Sequence, residues 1–300
     1  MRMKKRLFLL FRRLVNLFQG SGLGKIPPVY WVYSLIFRSL RPARGVMDVD
    51  GLKMSSGTCR LPPSFDVAFQ GGTDGGWEVE TTRLFKQLTG EGDIVVDIGA
   101  NIGYYTLLAA RIVGEHGKVY AFEPDPTNCG VLTGNVKLNG FYNVEIIPKA
   151  VSDRKGQLEL YLDEKNAGAH SIYRPKKVKR SVVVDSITLD EYFQGREHPV
   201  NIVKMDIEGA EIAALSGMRR IIEKNENLKI FTEFHPPWVS RAGVSPEYFI
   251  SELFDRYHFS VTVILDYARP PGSRKIAGSA ELLDILQDYQ TVNLLLEKKP

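Results

Sequence analysis

The sequence predicts a layered α/β fold: a mostly parallel sheet with helices on both faces. Three observations carry that expectation. Ile94 to Val96 is an apolar, β-branched run too short for a helix, as in strands buried on both faces. The run breaks at Gly99 and Gly103, and helical spacing resumes from Tyr104 to Val113; strand, glycine turn and helix make the first half of a βαβ unit. Beyond it, strand-like and helix-like segments alternate to the end of the chain. In such folds the turn after a strand opens at the carboxyl end of the sheet, where ligands sit.

Composition sets the outer bounds. With 44% apolar and 25% charged residues, the chain is ordinary for a globular protein. Cys59 and Cys129 are the two cysteines, so neither a disulfide framework nor a zinc site is expected, and a reducing, cytoplasmic compartment is. The net charge of +4 hides an asymmetry. Up to Met47 there are ten Lys or Arg and no acid, leaving 29 bases against 35 acids beyond it. This argues against a nucleic-acid-binding catalytic face, and no nucleic-acid partner is expected.

Three segments follow from this. Residues 1–47 form a basic amphipathic, helical N-terminal segment. Leu7, Phe8, Phe11, Leu14, Val15 and Phe18 share one helical face, and Arg12 with Arg13 interrupts the run a signal peptide needs. It is also too short in apolar residues to span a bilayer. Peripheral membrane contact through residues 1–44 and packing on the protein's own core both stay open. Residues 48–90 form a lead-in segment covering the site: Gly, Pro and Ser-rich until a helix over Trp77 to Leu88. Residues 91–300 form the ligand-binding domain.

Within that domain the strand of Ile94 ends at Asp97, and Lys118 to Phe122 ends at Glu123. Asp125 with Pro126 starts a helix that stops at Asn139-Gly140. Val144 to Val151 reads as one strand ending at Ser152 and Asp153, placed to meet an adenine ring. Leu158 to Leu162 alternates as a short antiparallel strand, and Asn166 to Arg180 reads as a basic loop. Asn201 to Met205 ends at Asp206, which should face Asp97 across the crevice. Glu208 shares Asp206's side if the backbone stays extended. Leu228 to Phe234 ends in Glu233 and His235, a helix starts at Ser245, and Phe259 to Leu265 with Val292 to Glu297 form an edge pair. Arg269 to Ser279 reads as a loop and Ala280 to Gln287 as a helix.

The turn after Asp97 decides the ligand. A dinucleotide turn needs G-x-G-x-x-G; here Asn101 and Tyr104 occupy the second and third glycine positions. Asp97 would repel a pyrophosphate and attract an ammonium group. Glu123, at the end of the next strand, can accept both ribose hydroxyls. A ribose, a positive amino group and no phosphate describe S-adenosyl-L-methionine.

The stretches D-I-G-A-N-I-G-Y-Y-T and V-Y-A-F-E-P, the pair Asn135/Asn139, A-V-S-D at 150–153, N-A-G-A-H-S at 166–171 and K-M-D-I-E-G-A-E at 204–211 resemble the FkbM-type methyltransferases. The resemblance covers roughly Glu78 to His235. It implies a Rossmann-like class I methyltransferase fold, a mostly parallel seven-stranded sheet with helices on both faces, joined here to the basic helical N-terminal segment. It also implies O-methylation of a sugar, glycan or natural-product hydroxyl. The segment before the first strand lies over the cofactor in that family, which adds Glu80 and Thr81. Cofactor-binding candidates are then Glu80, Thr81, Asp97, Gly99, Asn101, Gly103, Thr106, Glu123, Ser152, Asp153 and Asp206.

Methyl transfer to an alcohol needs alignment and a base for the hydroxyl proton. Asp206 and His235 lead as base candidates, with Glu208 and Glu233 behind them. Asp206 and Glu208 could together hold a divalent cation, but no third ligand lies near them in sequence, and no metal is expected. N-methylation of a peptide or nucleoside amine, and a membrane-tethered binding module without turnover, remain the other readings.

Overall fold

The structure, a computed structural model, describes residues 46–57, 77–164, 166–175, 180–196, 198–268 and 270–298, with residues 7, 10, 11, 32, 35 and 36 near the N-terminus. Most of the basic N-terminal segment, Cys59 and Lys176, Lys177 and Lys179 of the basic loop lie outside the described residues.

Strands β3 (Ile94–Ile98) and β4 (Lys118–Phe122) sit beside each other in parallel. β5 (Val144–Ile147) extends the sheet past β4, while β9 (Ile202–Met205) and β10 (Lys229–Phe234) extend it past β3. All five are parallel. β13 (Val292–Lys298) and β11 (Phe259–Leu265) continue it antiparallel, and β12 (Gly272–Lys275) closes the edge. The order is β12-β11-β13-β10-β9-β3-β4-β5. This α/β sheet has eight strands rather than the seven expected, because β12 forms inside the expected loop 269–279. β11 and β13 therefore pair as foreseen but inside the sheet, not at its edge.

A second correction concerns the run 144–151. Pro148 has no N–H for a ladder, and the chain leaves the main sheet there. Ala150–Val151 becomes β6, which joins β7 (Gly156–Leu162) and β8 (Arg180–Ile187) in a separate three-stranded sheet ordered β6-β8-β7.

Side-chain alternation on β3 feeds two cores. Ile94, Val96 and Ile98 pack with Ala214, Leu215, Ile221, Phe249 and Leu282 on one face. Val95 packs on the other with Leu107 and Leu108 of helix α2 (Tyr104–Val113), Leu132 of α3 (Pro126–Asn139) and Phe85 of α1 (Val79–Leu88). Asp97 shares the α2 face with Val95, which sets it against the start of that helix. Helix α1 begins at Val79, two residues later than expected, and Glu78 precedes it in the left-handed region at φ +44°.

The lead-in contributes a hairpin, β1 (Met47–Val49) and β2 (Leu52–Met54), turned by Asp50-Gly51 with positive φ at both residues. It is tied to α3 by Asn135 and Asn139. Asn135 Oδ1 accepts from Ser55 N at 2.7 Å and Asn139 Oδ1 from Lys53 N at 2.9 Å. Among the described residues no helix is long and apolar enough to cross a membrane.

Candidate active site

A cavity of about 230 Å³ opens at the carboxyl ends of β3, β4, β9 and β10. A water needs about 10–15 Å³ by that measure, so the space suits an organic ligand rather than a lone ion. Asp97, Gly99, Asn101, Gly103, Glu123, Asp206, Glu208 and Glu233 line it.

The β3–α2 turn forms its centre. Gly99 has φ +79°, and a Cβ there would run into the Asp206 backbone carbonyl, so only glycine lets β3 and β9 approach this closely. The Asp206 N–H in turn donates to Ile98 O at 3.1 Å. Asp97 is 3% exposed and accepts from Thr106 Oγ1 at 2.5 Å. Burial pushes its carboxyl up to about 6. Glu123 is 5% exposed and accepts from the backbone N–H of Asp125 at 2.8 Å and of Asn101 at 2.7 Å. Those two bonds aim its carboxylate at the turn, and burial holds it up at about 7.

Asp206, Glu208 and Glu233 converge, each offering an oxygen within 4.8 Å of the others. The extended backbone expected at Glu208 is absent. Ala210 N donates to Ile207 O at 3.3 Å and Glu208 takes φ +51°, so a turn, not strand alternation, brings Glu208 to Asp206. Glu208 is raised to about 9 by burial and then by Asp206, and Glu233 is raised well above the carboxylate range by burial and then by Asp206 and Glu208. The third carboxylate that sequence spacing lacked arrives from β10, because β9 and β10 are neighbours. These three are the group that could hold a divalent cation among the described residues.

Six candidates stand outside the cavity lining, each for a visible reason. Glu80 pairs with Arg83 at 2.7 Å and accepts from Ser273, while Thr81 donates to Asp266 at 2.6 Å. Asp266 also caps α1 by accepting the N–H groups of Glu80 and Thr81, so this pair anchors a helix end. Thr106 acts only through Asp97. Ser152 and Asp153 leave with β6; Ser152 N donates to Ile187 O at 3.0 Å and its own carbonyl abuts Gly217. His235 follows the last residue of β10 and is the N-cap of the helix Pro236–Arg241. Its ring lies 6.2 Å from Trp238, and burial and Arg241 lower its pKa.

The cavity also holds groups the sequence reading passed over: Glu78, Lys149, His170, Lys204 and Tyr267. Glu78 accepts from Tyr105 Oη at 2.7 Å. His170 Nδ1 accepts the Asp163 N–H at 3.0 Å, which leaves its other nitrogen as a donor. The motif N-A-G-A-H-S pointed to His170 and K-M-D to Lys204, whereas Tyr267 carried no local signal.

Residues 97–261 match the methyltransferase FkbM domain. The chain is similar to a hexuronic acid methyltransferase of Haloferax volcanii, 28% identical over 172 residues, 57% of this chain and 65% of that protein. It is also similar to the methyltransferase sdnD of Sordaria araneosa, 30% identical over 156 residues, 41% of this chain and 60% of that one. It thus spans less than two thirds of either relative's length. Among solved structures, methyltransferase FkbM from Methylobacillus flagellatus shares 17% identity, 58% of this chain and 45% of its own, with a TM-score of 0.35. An rRNA methylase from Streptococcus thermophilus shares 15% identity, 74% and 96%, with a TM-score of 0.43. With its FkbM domain spanning more than half of the sequence, the chain belongs to the methyltransferase FkbM family.

Proposed function

We propose that the cavity binds S-adenosylmethionine and that the enzyme methylates a hydroxyl of a sugar or glycan. The observation that carries the reading is the pair Asp97 and Glu123, two buried carboxylates on adjacent strand ends with a glycine turn between them. The residues fit the cofactor's chemistry. Asp97 suits an ammonium, Glu123 a ribose, and Gly99 and Gly103 let backbone approach the ligand. Lys149, Ala150 and Val151, also in the lining, replace Ser152 and Asp153 as the residues beside the adenine.

When bound, the cofactor supplies an electrophilic methyl on a neutral leaving group. The chain then has to orient the acceptor and take its proton. Asp206 is our base: its backbone is fixed against Ile98 and Gly99, and its carboxylate faces the cavity. Glu208, protonated near neutrality, serves as a hydrogen-bond donor to the acceptor. His235 takes no part. A sugar acceptor draws support from the relative named for hexuronic acid.

Titration calorimetry of the full chain with S-adenosylmethionine and with NAD is the test of the cavity. Binding of the first alone is expected. A screen of neutral sugars, uronates and lipid-linked sugars with methyl-labelled cofactor then tests the acceptor; label passing only to amines overturns the O-methylation reading. We further propose peripheral membrane contact by the N-terminal segment, since helical Leu7, Leu10, Val32 and Leu35 are 45–56% exposed. Flotation on anionic vesicles, with and without residues 1–44, decides it.

A further inference from the structure

Lys204 has no part in the reaction described above, and its hydrogen bonds are unmade. It lies on β9, 1% exposed, and its Nζ has no hydrogen-bond partner. Glu78 Oε2 is 3.9 Å away, beyond hydrogen-bonding range, and the Tyr105 ring centroid is 4.9 Å from Nζ. An ammonium carries three donors, and a buried donor without an acceptor is costly enough to call for an explanation.

The surroundings indicate what is missing. Lys204 is a cavity-lining residue and is paired in register with Asp97 on β3. Registered partners in a parallel sheet share a face, so an acid and a base stand side by side under the glycine turn. An α-amino acid carries its ammonium and its carboxylate on one carbon and needs two such counter-charges together.

We propose that Lys204 binds the carboxylate of the cofactor's methionine moiety while Asp97 takes the ammonium. This rests on the reading of the cavity as an S-adenosylmethionine site. A carboxylate on the acceptor is the other source of the same chemistry. The structure favours the cofactor, because Lys204 stands in register with Asp97, the residue read as the ammonium site, on adjacent strands at the glycine turn.

Calorimetry of the full chain with S-adenosylmethionine, its decarboxylated analogue and glucuronate separates these cases. Wild type is expected to bind S-adenosylmethionine about tenfold or more tighter than the decarboxylated form, as for one charge-assisted hydrogen bond. Lys204→Met should erase that preference by weakening only the carboxylate-bearing ligand, and Lys204→Arg should restore part of it. Wild type binding both forms equally overturns the proposal even if Lys204→Met fails to fold. Equal weakening of both forms in Lys204→Met, or loss of glucuronate binding alone, overturns it too. If wild type binds neither cofactor form, the cavity reading itself falls, a separate result.

Discussion

At the scale of single residues, the site depends on carboxylates held at energetic cost. Glu123 accepts two backbone N–H groups and is still raised to about 7, because burial outweighs them. Its ability to accept ribose hydroxyls depends on the charged form. Glu123→Gln keeps the shape and removes the charge, and about a tenfold weaker affinity for S-adenosylmethionine is expected by calorimetry. Affinity of the wild type should fall as pH drops through about 7 and then about 6, as Glu123 and Asp97 take up protons. A flat profile across that range would show that neither carboxylate meets the ligand. Among base candidates the forecast is asymmetric. Asp206→Asn should lose at least about a hundredfold in turnover with binding kept, while His235→Ala should leave turnover near wild type. Comparable loss in both variants would overturn the assignment of Asp206 over His235.

At the scale of elements, the strand-to-turn junctions decide what reaches the cavity. Gly99 is required twice, by φ +79° and by the Asp206 carbonyl against it. Gly99→Ala should cost about 3 kcal/mol by combining strain with a backbone clash, read as a lower urea midpoint. A midpoint within error of wild type would mean that β3 and β9 are not held this closely. Such junctions were legible in the sequence where the chemistry is local: a β-branched run, two glycines, and acids at strand ends locate Asp97, Glu123 and Asp206. Elements fixed by long-range pairing were not. Pro148 was visible, but its effect depends on β8 offering β6 a new partner, and that moves Ser152 and Asp153 off the lining. Likewise Thr81 looked like a cofactor contact until Asp266, 185 positions away, took its hydroxyl. Glu233 joined Asp206 only once β9 and β10 were known to be neighbours.

At the scale of the whole molecule, the raised carboxylates link folding to pH in a direction opposite to the usual one. Asp97 and Glu123 titrate at about 6 and about 7 in the folded chain, against about 4 when unfolded. Between those values the native state binds more protons than the unfolded state, so stability from these groups is present below about pH 4 and lost as pH rises through the folded values. Carboxylates outside the cavity lining such as Glu80, lowered by Arg83, act in the opposite sense and are expected to be insensitive to a ligand in the cavity. The informative quantity is therefore the difference in Tm between ligand-bound and ligand-free protein, in which such groups cancel. A cationic ligand favours the charged carboxylates, so its stabilisation should grow from about pH 5 to about pH 8. At a hundredfold excess over Kd the linkage amounts to about 2.7 kcal/mol. That moves the Tm of a domain of this class by roughly 5–10 °C, at about 2–4 °C for each kcal/mol. Scanning calorimetry with and without S-adenosylmethionine across that range should show the difference widening with pH. A difference that is constant, or that narrows, means the ligand does not meet the charged forms of Asp97 and Glu123.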